Sequence, residues 1–263
     1  MKIMFWNTHH NKAVNEVLCA LIIENDVSVV ALAEYEGDTC ELINRLDLMG
    51  IRFRAFFSAG CDRITVFGSI KNVDAGPQSS HYTIQIINNN DIMCCAHLPS
   101  KAYADHEARR EIIIGKLLND ISCLEAELKT EHTMIVGDFN INPFEDACVG
   151  ARYLHGIPYY AETVKKKRKV AGTDFYMFYN PMWNFLGDFQ SPFGTYYYNK
   201  GSSATFWNIY DQVIIRPELR ERFVDESLKI LTKTKELSLV DSDGHPIVSI
   251  SDHLPIIFEI KEE

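Results

Sequence analysis

Short runs of apolar residues recur along the chain, separated by amphipathic or polar segments. Such short runs, rich in Val, Ile, Phe and Ala, are typical of buried strands, since a helix needs about ten residues or more of helical periodicity. Val27–Ala33 is apolar throughout, which predicts a strand covered on both faces. The predicted strands are Lys2–Trp6, Val27–Ala33, Arg52–Phe57, Ile64–Gly68, Tyr82–Ile87, Ile92–Ala96, Thr133–Val136, Asp211–Ile215, Leu228–Thr232, Ile247–Ile250 and Ile256–Ile260.

Helical periodicity is clearest in Asp105–Lys129, where apolar residues recur at helical spacing. A second helix is predicted for Asp38–Met49. A further helix follows the first strand, where Thr8 or Asn11 can cap its start. The last helical segment predicted is short, Glu218–Phe223.

Strands and helices thus form two successive runs, roughly residues 1–131 and 132–263. No stretch between them has the composition of a linker. We interpret residues 1–263 as a single domain of two similar halves, with two packed sheets and helices outside.

The composition is that of an ordinary globular chain, with 263 residues, 46% hydrophobic and 24% charged. No secretory signal begins the sequence, and no stretch approaches the roughly 18 apolar residues of a membrane span. Seven cysteines, odd in number and irregularly spaced, argue against a disulfide framework, and no zinc-binding pattern is present. These features predict a cytoplasmic protein that neither binds a membrane nor requires a protein partner.

The net charge of −10 argues weakly against broad electrostatic binding to nucleic acid. It does not exclude an enzyme that contacts a few phosphates, because a bound metal ion and a local basic patch can supply the field.

Polar side chains follow the apolar strands at the point where each strand ends. Binding and catalytic residues concentrate at such positions, because a rigid sheet holds the loops there. Each residue alone is more simply a structural turn former, but the repetition of the pattern favours a site. The residues are Asn7, Glu34, His97, Asp138, Asn140, Asp211, Asp252 and His253.

The segment Thr133–Asp146 shows the pattern most clearly. Its strand ends in Gly137, followed by Asp138 and Asn140, and side chains two apart in an extended segment share one face. Asp and Asn are also common at turns, so this motif alone leaves both interpretations open.

Taken together, these motifs resemble the endonuclease/exonuclease/phosphatase superfamily, whose fold is that of deoxyribonuclease I. The matching pieces are Phe5–Asn7, Glu34, His97–Leu98, Gly137–Asn140, Tyr210–Ile214 and Ser251–Pro255, in the family's order and spread over the whole chain. The resemblance implies an α/β (α+β) fold, a four-layer sandwich of two facing mixed β-sheets flanked by helices. It also implies divalent-metal-dependent cleavage of phosphate esters.

The resemblance implies a metal site with Glu34 as the main ligand and Asn7 and Asp252 close to it. Mg²⁺ prefers oxygen ligands and takes one or two carboxylates, and Mn²⁺ is the alternative ion. A second ion near Asp138 and Asn140 is left open.

The resemblance also implies the catalytic groups. His253 acts as the general base or as a phosphate-binding imidazolium, and Asp211 fixes its tautomer. Asp138 orients the attacking water or takes its proton, and Asn140 binds a phosphate oxygen. His97 contacts the phosphate from the other side.

In deoxyribonuclease I-like members a carboxylate on a neighbouring strand supports the second histidine, which corresponds to His97 here. Asp62 stands at the place of that carboxylate. Aromatic residues before Asp211 are candidates for stacking on unpaired bases, namely Tyr196, Tyr198 and, first of all, Trp207. The alternative is that these rings fill the space between the sheets.

The basic run Lys165–Lys169 resembles a nucleic-acid patch, although a solvated loop explains it better. The adjacent His9 and His10 can reach the site, but their place in a loop is the simpler explanation.

The leading hypothesis is a Mg²⁺-dependent phosphodiester hydrolase, a nuclease that cleaves DNA or RNA as an endonuclease or exonuclease. The alternative is a phosphatase or phosphodiesterase of small-molecule or lipid phosphates. Inositol polyphosphate 5-phosphatases carry a Trp-Cys-Asp-Arg block where this chain has Tyr210–Val213. This mismatch argues against an inositol phosphate as the substrate. A non-catalytic binding module is a third hypothesis, which the complete set of site residues disfavours.

Overall fold

A computed structural model describes residues 1–88, 90–101, 105–200 and 205–262. In chain order its strands are β1 (Lys2–Asn7), β2 (Val29–Ala33), β3 (Arg54–Ala55), β4 (Ile64–Gly68), β5 (Val73–Ser79), β6 (Tyr82–Ile87), β7 (Asp91–His97), β8 (Thr133–Asp138), β9 (Gly156–Ile157), β10 (Lys167–Val170), β11 (Thr173–Tyr176), β12 (Phe178–Tyr179), β13 (Tyr196–Tyr197), β14 (Trp207–Asn208), β15 (Asp211–Ile215), β16 (Phe223–Ile230) and β17 (Ile256–Ile260). The α-helices are α1 (Asn15–Asn25), α2 (Thr39–Leu48), α3 (His106–Leu128), α4 (Asp146–Val149) and α5 (Tyr160–Thr163), and 3₁₀ helices cover Pro181–Phe185 and Pro217–Leu219.

Two mixed sheets form the body of the molecule. The six-stranded sheet has the order β16-β17-β1-β2-β4-β3, and the seven-stranded sheet has the order β5-β6-β7-β8-β15-β12-β9. The pairs β1–β2 and β7–β8 are parallel, whereas β1–β17 and β8–β15 are antiparallel. Each sheet contains strands from both halves of the sequence, so the halves do not correspond to one sheet each.

Alternation along β7 shows how the layers stack. Met93 and Cys95 belong to the large apolar core that also contains the buried strands of the other sheet. Cys94, between them, packs instead in a second core with Ile114 and Leu117 of α3. Because successive side chains of a strand point to opposite faces, β7 lies between the other sheet and α3.

On the other side of the molecule, Leu18 of α1 and Leu42 of α2 are fully buried in the large core, with the strands of the six-stranded sheet. The layers are therefore helices, sheet, sheet and helix, which confirms the predicted four-layer sandwich.

Most predicted strands and helices are present. The differences lie in segments whose sequence pattern does not match the structure that they adopt. β5 was not predicted, because Gly76 and Pro77 interrupt its pattern; its pairing with β6 shifts register between Ala75 and Gln78. The predicted strand Ile247–Ile250 is wrong, since this segment forms a turn. The predicted helical segment Glu218–Phe223 is present only in its first residues, which belong to the 3₁₀ helix Pro217–Leu219; the rest turns into β16, which begins at Phe223.

The structure also bears on the absence of a predicted membrane span and on the basic run Lys165–Lys169. No helix among the described ranges is long and apolar enough to cross a membrane. The basic run Lys165–Lys169 leads into the exposed hairpin of β10 and β11, and Lys166 pairs with Glu131 at 2.8 Å.

Candidate active site

One end of the sandwich collects the polar residues that follow the strands. Within the seven-stranded sheet, His97 is paired with Asp138, and Asp138 is paired with Asp211, so β7, β8 and β15 place three polar side chains side by side. From the facing sheet, β1 ends at Asn7 and Glu34 directly follows β2. A cleft of about 470 Å³ is lined by Asn7, Glu34, His97 and Asp138, together with Asp252 and His253 ahead of β17, whereas Asp211 is fully buried.

Asp138 lies at the centre of the site and is buried. Its Oδ2 accepts a hydrogen bond from Asn7 Nδ2 at 3.0 Å, and its Oδ1 accepts one from the backbone N–H of Asn140 at 2.9 Å. The same Oδ2 lies 3.7 Å from His97 Nε2 and 3.9 Å from His253 Nε2. One carboxylate thus faces both imidazoles.

Gly137 allows this position to form. A Cβ atom added to Gly137 would lie 1.9 Å from the carbonyl oxygen of Ala96, its neighbour across the strand pair. Any side chain would push β8 away from β7 and displace Asp138, so the glycine of the motif is required by the close approach of two backbones.

His253 and Asp211 form a buried pair. Nδ1 of His253 lies 2.8 Å from Oδ2 of Asp211, which holds the proton on Nδ1 and turns Nε2 toward the cleft. Burial by itself lowers the pKa of an imidazole, but the carboxylates of Asp211 and Asp138 outweigh it and raise the pKa of His253 to about 10. Burial raises the pKa of Asp211 to about 6, against the opposing attraction of His253. At neutral pH the pair is therefore an imidazolium and a carboxylate.

Backbone contacts between the two ends of the chain hold His253 in place. Trp6 Nε1 donates to the His253 carbonyl at 2.8 Å, and Ser251 Oγ donates to the Asn7 carbonyl at 2.7 Å. Ser251 Oγ also accepts from the His253 N–H at 3.0 Å. The serine of the Ser-Asp-His motif therefore ties β1 to the loop that carries His253.

Glu34 faces the cleft from a strained backbone. Its φ is 50°, in the left-handed region that non-glycine residues seldom adopt, and such conformations concentrate at functional sites. Its carboxylate oxygens lie 3.7 Å from His97 Nε2 and 3.4 Å from His10 Nε2. The side chain remains 25% exposed, so a ligand in the cleft can reach it.

Oxygen atoms around Glu34 suit a hard divalent cation. Asp252 Oδ1 is buried without a hydrogen-bond partner among the described residues, and His9 Nδ1 lies 3.2 Å and His253 Nε2 4.0 Å from it. Asn7 Oδ1 also points to this side, where it accepts from the His9 N–H at 3.0 Å. A carboxylate, a carboxamide and an orphaned carboxylate oxygen on one cleft wall fit the predicted metal site.

A second set of possible ligand atoms belongs to Asp138, Asp211 and His253, and these atoms all lie within 4.8 Å of one another. The hydrogen bond between Asp211 and His253 already satisfies two of them, so this group explains a fixed imidazolium better than a cation. A third group, Asp241, Asp243 and His245, is mostly exposed and does not line the cleft.

His97 is buried on the opposite side of Asp138. Burial lowers its pKa, against the attraction of Asp138 and Glu34, so the ring is neutral at pH 7. The prediction that Asp62 supports this histidine is wrong: Asp62 is exposed, and His97 Nδ1 has no hydrogen-bond partner among the described residues. Arg63, one residue later, lines the cleft instead.

Three tyrosines form the cleft wall beside His253. The ring of Tyr196 lies 4.8 Å from that of His253 and stacks on Tyr210 at 5.3 Å and on Tyr198 at 6.4 Å. Tyr196 and Tyr198 were predicted to bind substrate, whereas Tyr210 and Lys101, whose ammonium lies 5.8 Å from the Tyr210 ring, were not.

Trp207 does not line this cleft. It is paired with Tyr197 in the β13–β14 hairpin and contacts that ring at 5.3 Å and His245 at 5.9 Å. Because Tyr196 and Tyr197 point to opposite faces, Trp207 lies on the face away from His253. The prediction that Trp207 contacts substrate in the site is corrected accordingly.

Neither a protein-family model nor a curated protein sequence matches the chain. Solved structures do. The chain is similar to an AP endonuclease from Archaeoglobus fulgidus, with a TM-score of 0.59, 11% identity and 100% of both chains covered. It is also similar to a 3′-5′ exonuclease, NExo, from Neisseria meningitidis, with a TM-score of 0.57, 16% identity and 100% of both chains covered.

A third similar structure is an endonuclease/exonuclease/phosphatase family protein from Leptotrichia buccalis, with a TM-score of 0.58, 12% identity and 100% of both chains covered. The chain therefore has the deoxyribonuclease I-like fold that its motifs predicted. At these identities the likeness establishes the fold alone.

Proposed function

We propose that this protein is a divalent-metal-dependent phosphodiester hydrolase that cleaves nucleic acid. The arrangement of His253, Asp211 and Asp138 opposite Glu34, across one open cleft, carries the proposal. Cleavage of a phosphodiester needs an oriented water, stabilisation of the negative charge on the phosphate, and help for the leaving oxygen. The cleft holds a group suited to each need.

Glu34, Asn7 and Asp252 would hold the cation, with Mg²⁺ as the expected ion and Mn²⁺ as the alternative. When bound, the ion supplies positive charge to the phosphate oxygens and to the leaving oxygen. The carboxylate and carboxamide oxygens of these residues match the ligands that Mg²⁺ takes in proteins.

His253 would act as an imidazolium. Its Nε2–H points into the cleft near Asp138, while Asp211 keeps the ring charged and fixed. A charged donor in this position binds a phosphate oxygen and strengthens as negative charge builds up in the transition state. The raised pKa of His253 makes this role fit better than that of a general base, which requires a neutral ring at working pH.

Asp138 would orient the attacking water. Its Oδ2 lies within 4 Å of Nε2 of both His97 and His253, so a water bound to it lies beside the phosphate that these imidazoles contact. Asn140 is held by its bond to Asp138, and its side chain donates to the Leu98 carbonyl at 3.0 Å. To contact a phosphate oxygen, as proposed, Asn140 would exchange that bond for one to the substrate.

The tyrosine wall favours a nucleic-acid substrate. Tyr198 is 40% exposed and stacks in line with Tyr196, which presents an aromatic face to whatever occupies the cleft. A base from an unpaired strand can stack on such a face whatever its sequence. We therefore assign Tyr196 and Tyr198 to substrate binding. The preferred substrate is a single strand or an unpaired nucleotide.

The test is hydrolysis by the purified protein of single- and double-stranded DNA, of RNA, and of a chromogenic bis-phosphodiester, with Mg²⁺, Mn²⁺ or excess chelator. We expect metal-dependent cleavage of nucleic acid, loss of it in Glu34→Gln, and retention in the matched surface variant Glu162→Gln. Full cleavage in chelator would contradict the metal mechanism. Hydrolysis of the small diester without any cleavage of nucleic acid would indicate the small-phosphate alternative.

A further inference from the structure

The strand order of the six-stranded sheet fixes the order of side chains along the cleft. Reading β17, β1, β2 and β4, the residues at the cleft end are His253, Asn7, Glu34 and Arg63. Arg63 immediately precedes β4, and its carbonyl accepts a hydrogen bond from the Glu34 N–H at 3.4 Å. Since neighbouring strands are about 4.8 Å apart, the backbone of Arg63 lies about 10 Å from β1.

Arg63 has no ionic or hydrogen-bonding side-chain partner in the part of the chain that the structure describes. Within the described ranges, no carboxylate lies within 4.0 Å of its guanidinium, and its side chain donates no hydrogen bond. Lys101, which also lines the cleft, is by contrast paired with Glu145 at 2.7 Å. The cleft therefore offers an uncommitted guanidinium on the side away from the tyrosines.

Such a group suits phosphate. A guanidinium presents two parallel N–H donors that match two phosphate oxygens, and it stays charged at every working pH. The phosphate being cleaved would lie between His253 ahead of β17, Asp138 at the end of β8, and the metal ligands at the ends of β1 and β2. Arg63 lies one strand beyond Glu34, on the far side of that position, where the strand of a bound nucleic acid would continue.

We propose that Arg63 binds the phosphate next to the one that is cleaved. This inference rests on the proposed function and deepens it, because it requires a substrate with at least two phosphates. The second phosphate is either an internal phosphodiester or a terminal monophosphate, and the guanidinium has the same chemistry toward both.

Binding of a labelled single-stranded oligonucleotide tests this without turnover, with Ca²⁺ in place of Mg²⁺. We expect Arg63→Ala to weaken binding about tenfold and Arg63→Lys to weaken it less. Because one phosphate contact is lost, the slope of log affinity against log salt should become shallower by about 0.7 in Arg63→Ala. Arg52→Ala, an exposed arginine outside the cleft, serves as the matched control and should leave both quantities unchanged.

The position of the phosphate that Arg63 contacts is tested with a series of oligonucleotides. Each carries a single uncharged methylphosphonate, placed one linkage further along the strand than in the preceding oligonucleotide. The substitution next to the cleaved bond should weaken binding to wild type and not to Arg63→Ala. Parallel substrates with and without a terminal phosphate distinguish the two sources: an effect restricted to terminal phosphate shows that Arg63 recognises chain ends.

Three results would overturn the assignment: no binding by wild type, an unchanged salt slope in Arg63→Ala, or methylphosphonate effects that are equal in wild type and variant. A small diester with a single phosphate separates this from the proposed function, since the loss in Arg63→Ala should be much smaller on this diester than on an oligonucleotide. Failure of wild type to hydrolyse any diester contradicts the proposed function, while the salt slope still tests Arg63.

Discussion

Replacing Asp211 by asparagine tests the charge of His253. Asp211 lies 2.8 Å from Nδ1 of the ring, and with Asp138 it raises the pKa of His253 to about 10 against the effect of burial. Asp211→Asn keeps the size of the side chain but removes the charge that stabilises the imidazolium. The pKa of His253 should then fall toward the ordinary value of 6.5, because burial still lowers it and only Asp138 and Asp252 still favour the charged ring.

The size of the effect on rate follows from that change. At pH 8 an imidazole with a pKa of about 6.5 is only about 3% protonated, whereas the wild-type ring is almost fully protonated. If the imidazolium contacts the phosphate, Asp211→Asn should lose up to about 30-fold in kcat/KM at pH 8 from protonation alone. Near pH 5.5 most of that loss should disappear.

Two measurements check this prediction. An NMR titration of the His253 ring in metal-free protein gives its pKa directly; metal is omitted because a bound cation would itself lower the value. Profiles of kcat/KM against pH at fixed free metal give the functional limb for wild type and Asp211→Asn. A wild-type ring that is neutral at pH 7, or a wild-type rate that rises with pH through the pKa of His253, would show that His253 acts as a base and refute the reasoning.

Other outcomes are expected at separate positions. Mg²⁺ should raise the Tm of wild type, because it binds only the native state, but should not raise that of Glu34→Gln; an equal rise in both would place the metal elsewhere. Tyr198→Ala should weaken binding of a single strand by about 1–3 kcal/mol while hydrolysis of the chromogenic diester stays unchanged, and equal losses on both would indicate a collapsed site. Trp207→Ala should lower the Tm and leave the Kd for single strands within about twofold, because its ring packs on the outer face of its hairpin; a tenfold change in Kd would restore Trp207 to the substrate. Glu125 and Arg216 form a buried ion pair with an N–O distance of 2.8 Å. Glu125→Gln should lower the free energy of unfolding by about 3–5 kcal/mol in urea titrations, since it leaves the charge of the buried Arg216 unpaired, whereas the exposed Glu127→Gln should not. Equal stability of the two variants would mean that the buried pair contributes little.

The strands and the sequence positions of the site were predictable because both depend on local chemistry. An apolar run followed by a polar residue marks a strand end, and Asn7, Glu34, His97 and Asp138 were all found in this way. The glycine before Asp138 could be recognised from the motif, but its reason, the close approach of the Ala96 carbonyl, required the structure.

The errors come from information that a linear sequence does not contain. Asp62 and Arg63 are adjacent, and only the pairing of β4 with β2 decides which of them faces the cleft. Tyr196 and Trp207 belong to one short hairpin whose two faces look alike in composition, so the sequence could not show that Trp207 faces away. β5 escaped notice because a strand containing Gly-Pro is stabilised by its partner β6 rather than by its own pattern.

The hydrogen bond from Asn7 to Asp138 joins two residues 131 positions apart, and the bond from Trp6 to the His253 carbonyl joins residues 247 apart. Contacts this distant in sequence close large loops, and closing those loops costs chain entropy that the rest of the structure must offset. A folding intermediate can therefore contain most of its strands and still lack the cleft. Regain of hydrolysis on refolding should lag behind recovery of secondary structure, and a ribosome-bound chain whose β17 is still in the exit tunnel would cleave nothing.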